Sequence, residues 1–254
     1  VKFRHSTAIV LAMLTAVFAA GAFAMDLGEL VGKSLDAQGG AAALKAIQSQ
    51  KVTGKIVTQG MEMPITILSA RPNSTRVEIS VMGMNIVQAF DGTTGWSINP
   101  MTGSQDAQLM GEQEVKAVRL QADMDGPLQN WEARGWVGEY MGQEDVEGTA
   151  AYRLRIDTKQ DVVIDMWLDA ESYLPIKQNT KMKVDQQEVE SQMYPGDYRS
   201  LNGLTIPFAL ETRQGDQVMM NMVFETVEFG VAVDPSVFAM PAAAAAAPAP
   251  GSGN

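Results

Sequence analysis

From Lys51 onward, apolar residues recur at every second position for most of the remaining chain. Val52, Gly54 and Ile56 alternate with Thr53, Lys55 and Val57, and Met63, Ile65 and Ile67 form a second alternating set. Val77, Ile79 and Val81 interleave with Arg76, Glu78 and Ser80, and Ile86, Gln88 and Phe90 follow. A period of two sends alternate side chains to opposite faces of a strand, so these runs read as strands with two unlike faces. Turn residues separate them at Asp91-Gly92-Thr93-Thr94-Gly95, Asn99-Pro100-Met101-Thr102-Gly103 and Asp169-Ala170-Glu171-Ser172. Further strands are expected from Trp136, Gly138 and Tyr140, from Tyr152-Leu154-Ile156, and from Ile164-Met166-Leu168. Leu174-Pro175-Ile176, Met182–Met193, Leu204–Glu211 and Gln217–Phe229 complete the series. Strands at near-regular spacing without alternating helices define a mainly β (α+β) domain built as an antiparallel meander.

Two segments depart from this period. Leu27, Leu30, Val31 and Leu35 recur at helical spacing, and Leu44 and Ile47 continue after a Gly39-Gly40 break, so residues 26–48 read as a helix and a short helical turn. Within 105–124, Leu109, Met110, Val115, Val118, Leu120 and Met124 form an apolar face opposite Glu112, Glu114, Lys116 and Arg119. Asp125-Gly126-Pro127 stops this amphipathic helix. Asp234–Phe238 reads as a closing turn with Phe238 tucked in.

The ends carry their own signals. Lys2 and Arg4, an apolar run from Ala8 to Ala20 and the small-x-small triplet Ala22-Phe23-Ala24 mark residues 1–24 as a cleaved export signal. The folded domain is then 25–240, and 241–254 is an Ala/Pro/Gly low-complexity tail expected to be disordered. Beyond the signal there is no histidine, because His5 is the only one, and the chain has no cysteine. That excludes histidine triads, thiol nucleophiles, disulfides and the usual zinc ligand sets, and it leaves no thiol for a lipid anchor. Removing Lys2 and Arg4 takes the net charge from −11 to −13, which repels nucleic acid. No enzyme, metal or cofactor is expected.

The order of signals along the domain is more specific than any one of them. Gln38-Gly39-Gly40 leads to Val52-Thr53-Gly54-Lys55. Later come Trp131, Val137-Gly138-Glu139, Glu144-Asp145-Val146-Glu147-Gly148, Tyr152-Arg153-Leu154 and the run Trp167–Lys177. Asp197-Tyr198-Arg199, Asn202–Pro207 and Phe238-Ala239-Met240-Pro241 close the series. In this order the chain resembles the periplasmic outer-membrane lipoprotein-sorting proteins, the LolA/LolB-like superfamily. The resemblance implies an unclosed antiparallel β-barrel around an apolar cavity, with helices as a lid, that shields acyl chains in transit. It also implies lipoprotein or lipid cargo, an inner-membrane transporter as donor and an outer-membrane acceptor. An arginine ties lid to barrel in the family's carriers; Arg71, Arg76 and Arg119 are all candidates for that role here.

Sixteen of the 17 methionines lie beyond the signal, and Met61/Met63, Met82/Met84 and Met220/Met222 have the spacing that shares a strand face. A thioether wall adapts to ligands of varied shape. Ordinary core packing and soft copper(I) ligation are the other readings of those pairs. The expected cavity and lid residues are Met82, Met84, Ile86, Trp96, Leu109, Met110, Val115, Val118, Met124, Trp131, Met220 and Met222. The leading expectation is a monomeric, soluble periplasmic carrier of acylated cargo. A regulatory or interaction module on the same fold, sensing envelope lipids or binding a membrane protein, is the alternative. Asp165 and Asp169 would share a strand face as an acid–base pair, but Asp169 fits a turn and Asp165 a solvated outer position.

Overall fold

The computed structural model describes residues 26–103, 105–184 and 187–242; the segment expected to be an export signal and residues 243–254 of the expected tail lie outside them. Helix α1 (Leu27–Ala37) opens with Asp26, whose carboxylate accepts the Glu29 N–H at 3.1 Å. It ends where Gly39 and Gly40 take φ of +112° and +95°. A Cβ on Gly39 would sit 2.6 Å from the Gly203 carbonyl oxygen, so only glycine lets this turn pack there. Helix α2 (Ala41–Ala46) follows.

Strands β1 (Ser49–Thr58), β2 (Met61–Ala70), β3 (Ser74–Val81), β4 (Met84–Phe90), β5 (Gly95–Ile98) and β6 (Gln108–Leu109) form one meander. Helix α3 (Glu112–Ala122) and a connection through residue 136 lead to the second. That meander is β7 (Val137–Val146), β8 (Thr149–Asp157), β9 (Val162–Asp169), β10 (Pro175–Val184), β11 (Gln187–Leu201), β12 (Leu204–Gln214) and β13 (Gln217–Phe229). β1 pairs with β13, Val52 opposite Val227 and Ile56 opposite Met222, and fuses the meanders into one antiparallel sheet. Its order is β6-β5-β4-β3-β2-β1-β13-β12-β11-β10-β9-β8-β7, open at β6 and β7.

The sheet must curl. Val118 and Ala122 of α3 are buried against Phe90 on β4. Leu120 joins the core of α1, β8 and β9, and Lys116 reaches Asp161 beyond β8 at 3.5 Å. An 11-residue helix is roughly 16 Å long. Eight strand spacings separate β4 from β9, roughly 38 Å along a flat sheet. One short helix touches both only because the sheet wraps around it, which is the unclosed half-barrel.

Two boundaries differ from the sequence reading. The helix expected over 105–124 starts at Glu112, because the Glu114 carboxylate caps the Gly111 N–H at 2.8 Å, and Leu109 pairs instead with Trp96 as an edge strand. The single strand expected over Met182–Met193 is two strands that reverse between Val184 and Gln187. Neither glycine nor proline marks that reversal; its one signal is a change of parity, from Met182 and Val184 to Val189 and Met193.

Candidate functional site

Cross-strand register assembles the site. Ile86, Ile79, Ile65, Gly54 and Phe224 stand side by side across five strands. One step toward the hairpin ends, Met63, Ile56, Met222, Leu210 and Pro195 form a second row. A third row runs Tyr140, Leu154, Met166, Gln178, Met193, Thr212, Met220. All lie on the concave face, and Gly54 permits the close packing: its Cβ would fall 2.2 Å from the Val223 carbonyl oxygen. Met63, Met193, Leu210, Met220 and Met222 are half-buried, so the middle of this face is an apolar trough partly open to solvent.

The expected site residues separate into distinct places. Met84, Ile86, Met220 and Met222 lie on the trough face. Met110, Val115 and Val118 pack beneath α3 against Phe90, so the apolar face of the helix expected to be a lid is occupied by the protein's own side chains. Met124 lines a cleft at the end of α3, and Trp131 packs on the core beside α1. Three lie elsewhere. Met82 sits at the β3–β4 hairpin tip with φ +51° and 84% exposure, because the turn takes Met82-Gly83 and so breaks the Met82/Met84 pair across a strand end. Trp96 is fully buried on the convex face, where its Nε1 donates to the Phe238 carbonyl at 2.8 Å. Leu109, its strand partner, is 66% exposed. Sequence reasoning left Ile56, Met193 and Leu210 out of the site; their period-two spacing was visible, but their lateral alignment was not.

Of the three candidate arginines, Arg71 contacts the segment after α3. Its Nη2 lies 2.6 Å from Asp125 Oδ1, and its Nε donates to the Ile47 carbonyl at 2.7 Å. It therefore ties the end of α2 and the β2–β3 turn to the end of α3. Asp123 and Asp125 also pair with Arg134. Arg76 instead lies on the convex face, donating to the Val237 carbonyl and stacking over Trp96, and Arg119 lies over Phe90.

Between α1, α2 and the end of α3 lies a cleft of about 270 Å³. Its floor is Gln50 and Ser69, cross-strand partners on the trough face. Gln129 and Met124 line its wall.

Asp165 is not the solvated residue expected. It is 1% exposed on the convex face, where Arg155 Nε donates to it at 2.7 Å and Arg153 Nη2 at 3.0 Å. Burial pushes its carboxyl up, but the hydrogen bonds from the two arginines outweigh that and hold it below the usual carboxylate range. Asp169 caps the β9–β10 turn, accepting the Ser172 N–H at 2.6 Å. A structural ion pair and a turn cap account for both carboxylates, and the two do not meet as an acid–base pair.

The fold is LolA-like. Three solved structures share it over most of their length: a DUF1329 family protein from Desulfovibrio piger (TM-score 0.55, 11% identity, 82% of this chain and 97% of that one), a LolA superfamily protein from Nitrosomonas europaea (0.54, 10%, 83% and 96%) and a putative outer membrane lipoprotein-sorting protein domain from Vibrio parahaemolyticus (0.52, 10%, 82% and 97%). At these identities the likeness is one of fold. No family model matches the sequence, and no curated protein does. Among the described residues, no helix is long and apolar enough to cross a membrane.

Proposed function

We propose that this protein is an exported, periplasmic carrier that holds the acyl chain of a lipoprotein or lipid in the trough. The observation that carries this reading is the aligned rows of Met63, Ile56, Met222, Leu210 and of Met193, Thr212, Met220. They form an apolar face that the protein leaves partly open while it closes both flanks with helices. Thioethers follow the contour of a flexible chain without fixed rotamers. Each methylene moved from water to such a wall contributes about 0.8 kcal/mol, so one long chain offers on the order of 10 kcal/mol before ordering costs. Burial, not bond chemistry, is the mechanism. Transfer between a membrane transporter donor and an outer-membrane acceptor fits a carrier whose ligand-holding face stays partly open to solvent. The fold it shares with a lipoprotein-sorting domain supports the same reading.

The test is displacement of a fluorescent fatty-acyl probe, with native mass spectrometry of protein purified from its host. The Met222→Glu variant places a charge on the trough floor and is expected to weaken the probe at least tenfold with the fold intact. Protein that is reproducibly empty and indifferent to acyl probes would overturn the reading.

A further inference from the structure

Gln129, in the cleft at the end of α3, has no partner. It is 5% exposed and lines the cleft, and its carboxamide makes no hydrogen bond among the described residues. The amide faces the cleft, where a bound group can take up the hydrogen bonds that the protein leaves unmade. Gln50, on the floor, also lacks a side-chain partner among the described residues. Gln38 spends its amide nitrogen on Ser34, at 3.1 Å to the carbonyl and 3.3 Å to the hydroxyl, which leaves its oxygen as an acceptor. With Gln121, four carboxamides therefore line one cleft with donors and acceptors to spare.

The charges nearby are already matched. Asp123 and Asp125 are held by Arg134 and Arg71, two carboxylates against two guanidiniums. The cleft offers an anion no free cation from this group, and a cation no free carboxylate. Its floor lies on the same sheet face as the trough. Gln50, Val52, Gly54 and Ile56 share one face of β1, so the floor of the cleft leads to the methionine row over roughly 20 Å of strand.

We propose that this cleft is a head-group subsite for an uncharged, hydrogen-bonding head (hydroxyl, ester or amide) whose acyl chain lies along the trough. The inference rests on the carrier reading. Glycerides and N-acylated peptides share that head chemistry.

Three probes with the same chain length separate the possibilities, each used below its aggregation concentration: monopalmitoylglycerol, N-palmitoylglycinamide and the permanently anionic hexadecanesulfonate. The full protein is expected to bind at least one neutral probe tenfold or more tighter than the sulfonate, and the preferred neutral probe identifies the source. Gln129→Met, close in shape and apolar, is expected to erase that preference while changing sulfonate affinity less than twofold. Gln50→Leu, on a half-buried position, does the same if Gln129→Met fails to fold. Equal or tighter sulfonate binding, or variants that weaken all three probes alike, would overturn the subsite. Binding of none of the three by the unaltered protein would overturn the carrier reading, and the subsite with it.

Discussion

The β7–β9 wing and the central strands present the same alternation to the same face of one sheet, yet one is closed and the other open. On the wing, Leu30 and Val31 of α1 lie against Leu154, Ile156, Ile164 and Leu168, and Leu30, Leu154, Ile156 and Leu168 are wholly buried. At the centre, Met63, Met193, Met220 and Met222 lie on the same face and stay half-buried. The third row passes from one condition to the other along a single line, from Leu154 to Met220. Composition follows the difference in the main: branched aliphatics with well-defined rotamers make up most of the closed wing, with Met166 among them, and flexible thioethers supply much of the open centre. Stability resides in the wing and adaptability in the trough.

Truncation gives the sharpest way to break that contrast. Leu154→Ala is expected to cost about 2–5 kcal/mol in denaturant unfolding, because the cavity it leaves is enclosed. Met222→Ala, at the open centre, is expected to cost roughly 1 kcal/mol. Equal losses would mean that the trough is as tightly packed as the wing.

Arg71→Ala comes next. Without the guanidinium, the Ile47 carbonyl loses its side-chain donor and Asp125 keeps only Arg134, at a cost of about 1–3 kcal/mol. Hydrogen exchange in 112–128 should accelerate more than in β7–β9, since the tie joins α3's end to the central strands. Unchanged protection there would show that Arg71 does not hold α3.

The wing's convex face adds a pH signature. The folded carboxyl of Asp165 lies below its unfolded value of about 3.9. Its ion pairs therefore stabilise the fold fully above that value, and the contribution fades as pH falls through the lower folded one. Urea midpoints of the parent and Asp165→Asn should differ at pH 7 and converge in acid; a constant gap would assign the effect to packing.

Met82→Asn should do least. At an exposed hairpin tip with positive φ, asparagine suits the turn, and the change in stability should stay within about 0.5 kcal/mol with acyl-probe affinity unchanged. A clear loss of affinity would draw the β3–β4 tip into the site.

Much of this was legible in the residues. Gln217–Phe229 begins and ends where its alternation does, the Gly39-Gly40 break separates α1 from α2, and Phe238 is buried as its closing turn suggests. Leu109 and Met110 misled because apolar residues at helical spacing also suit an edge strand and a loop beside Gly111. Asp165 misled because an outward strand position reads as solvated, whereas Arg153 and Arg155, both on β8, cover it. Trp96 misled because alternation separates two faces without telling which one is concave.

The sequence by itself determined the strands, most of their turns, the division of each strand into two faces and the sulfur-rich character of one of them. Those properties depend on residues two to four positions apart. The tertiary structure alone decided that β1 meets β13, that the sheet curls, and that α3 bridges its wings. It also decided that Gln50 and Gln129 share a cleft at the foot of the trough. These rest on contacts such as Lys116 with Asp161 and Arg76 with Val237, 45 and 161 residues apart, whose geometry no local period encodes.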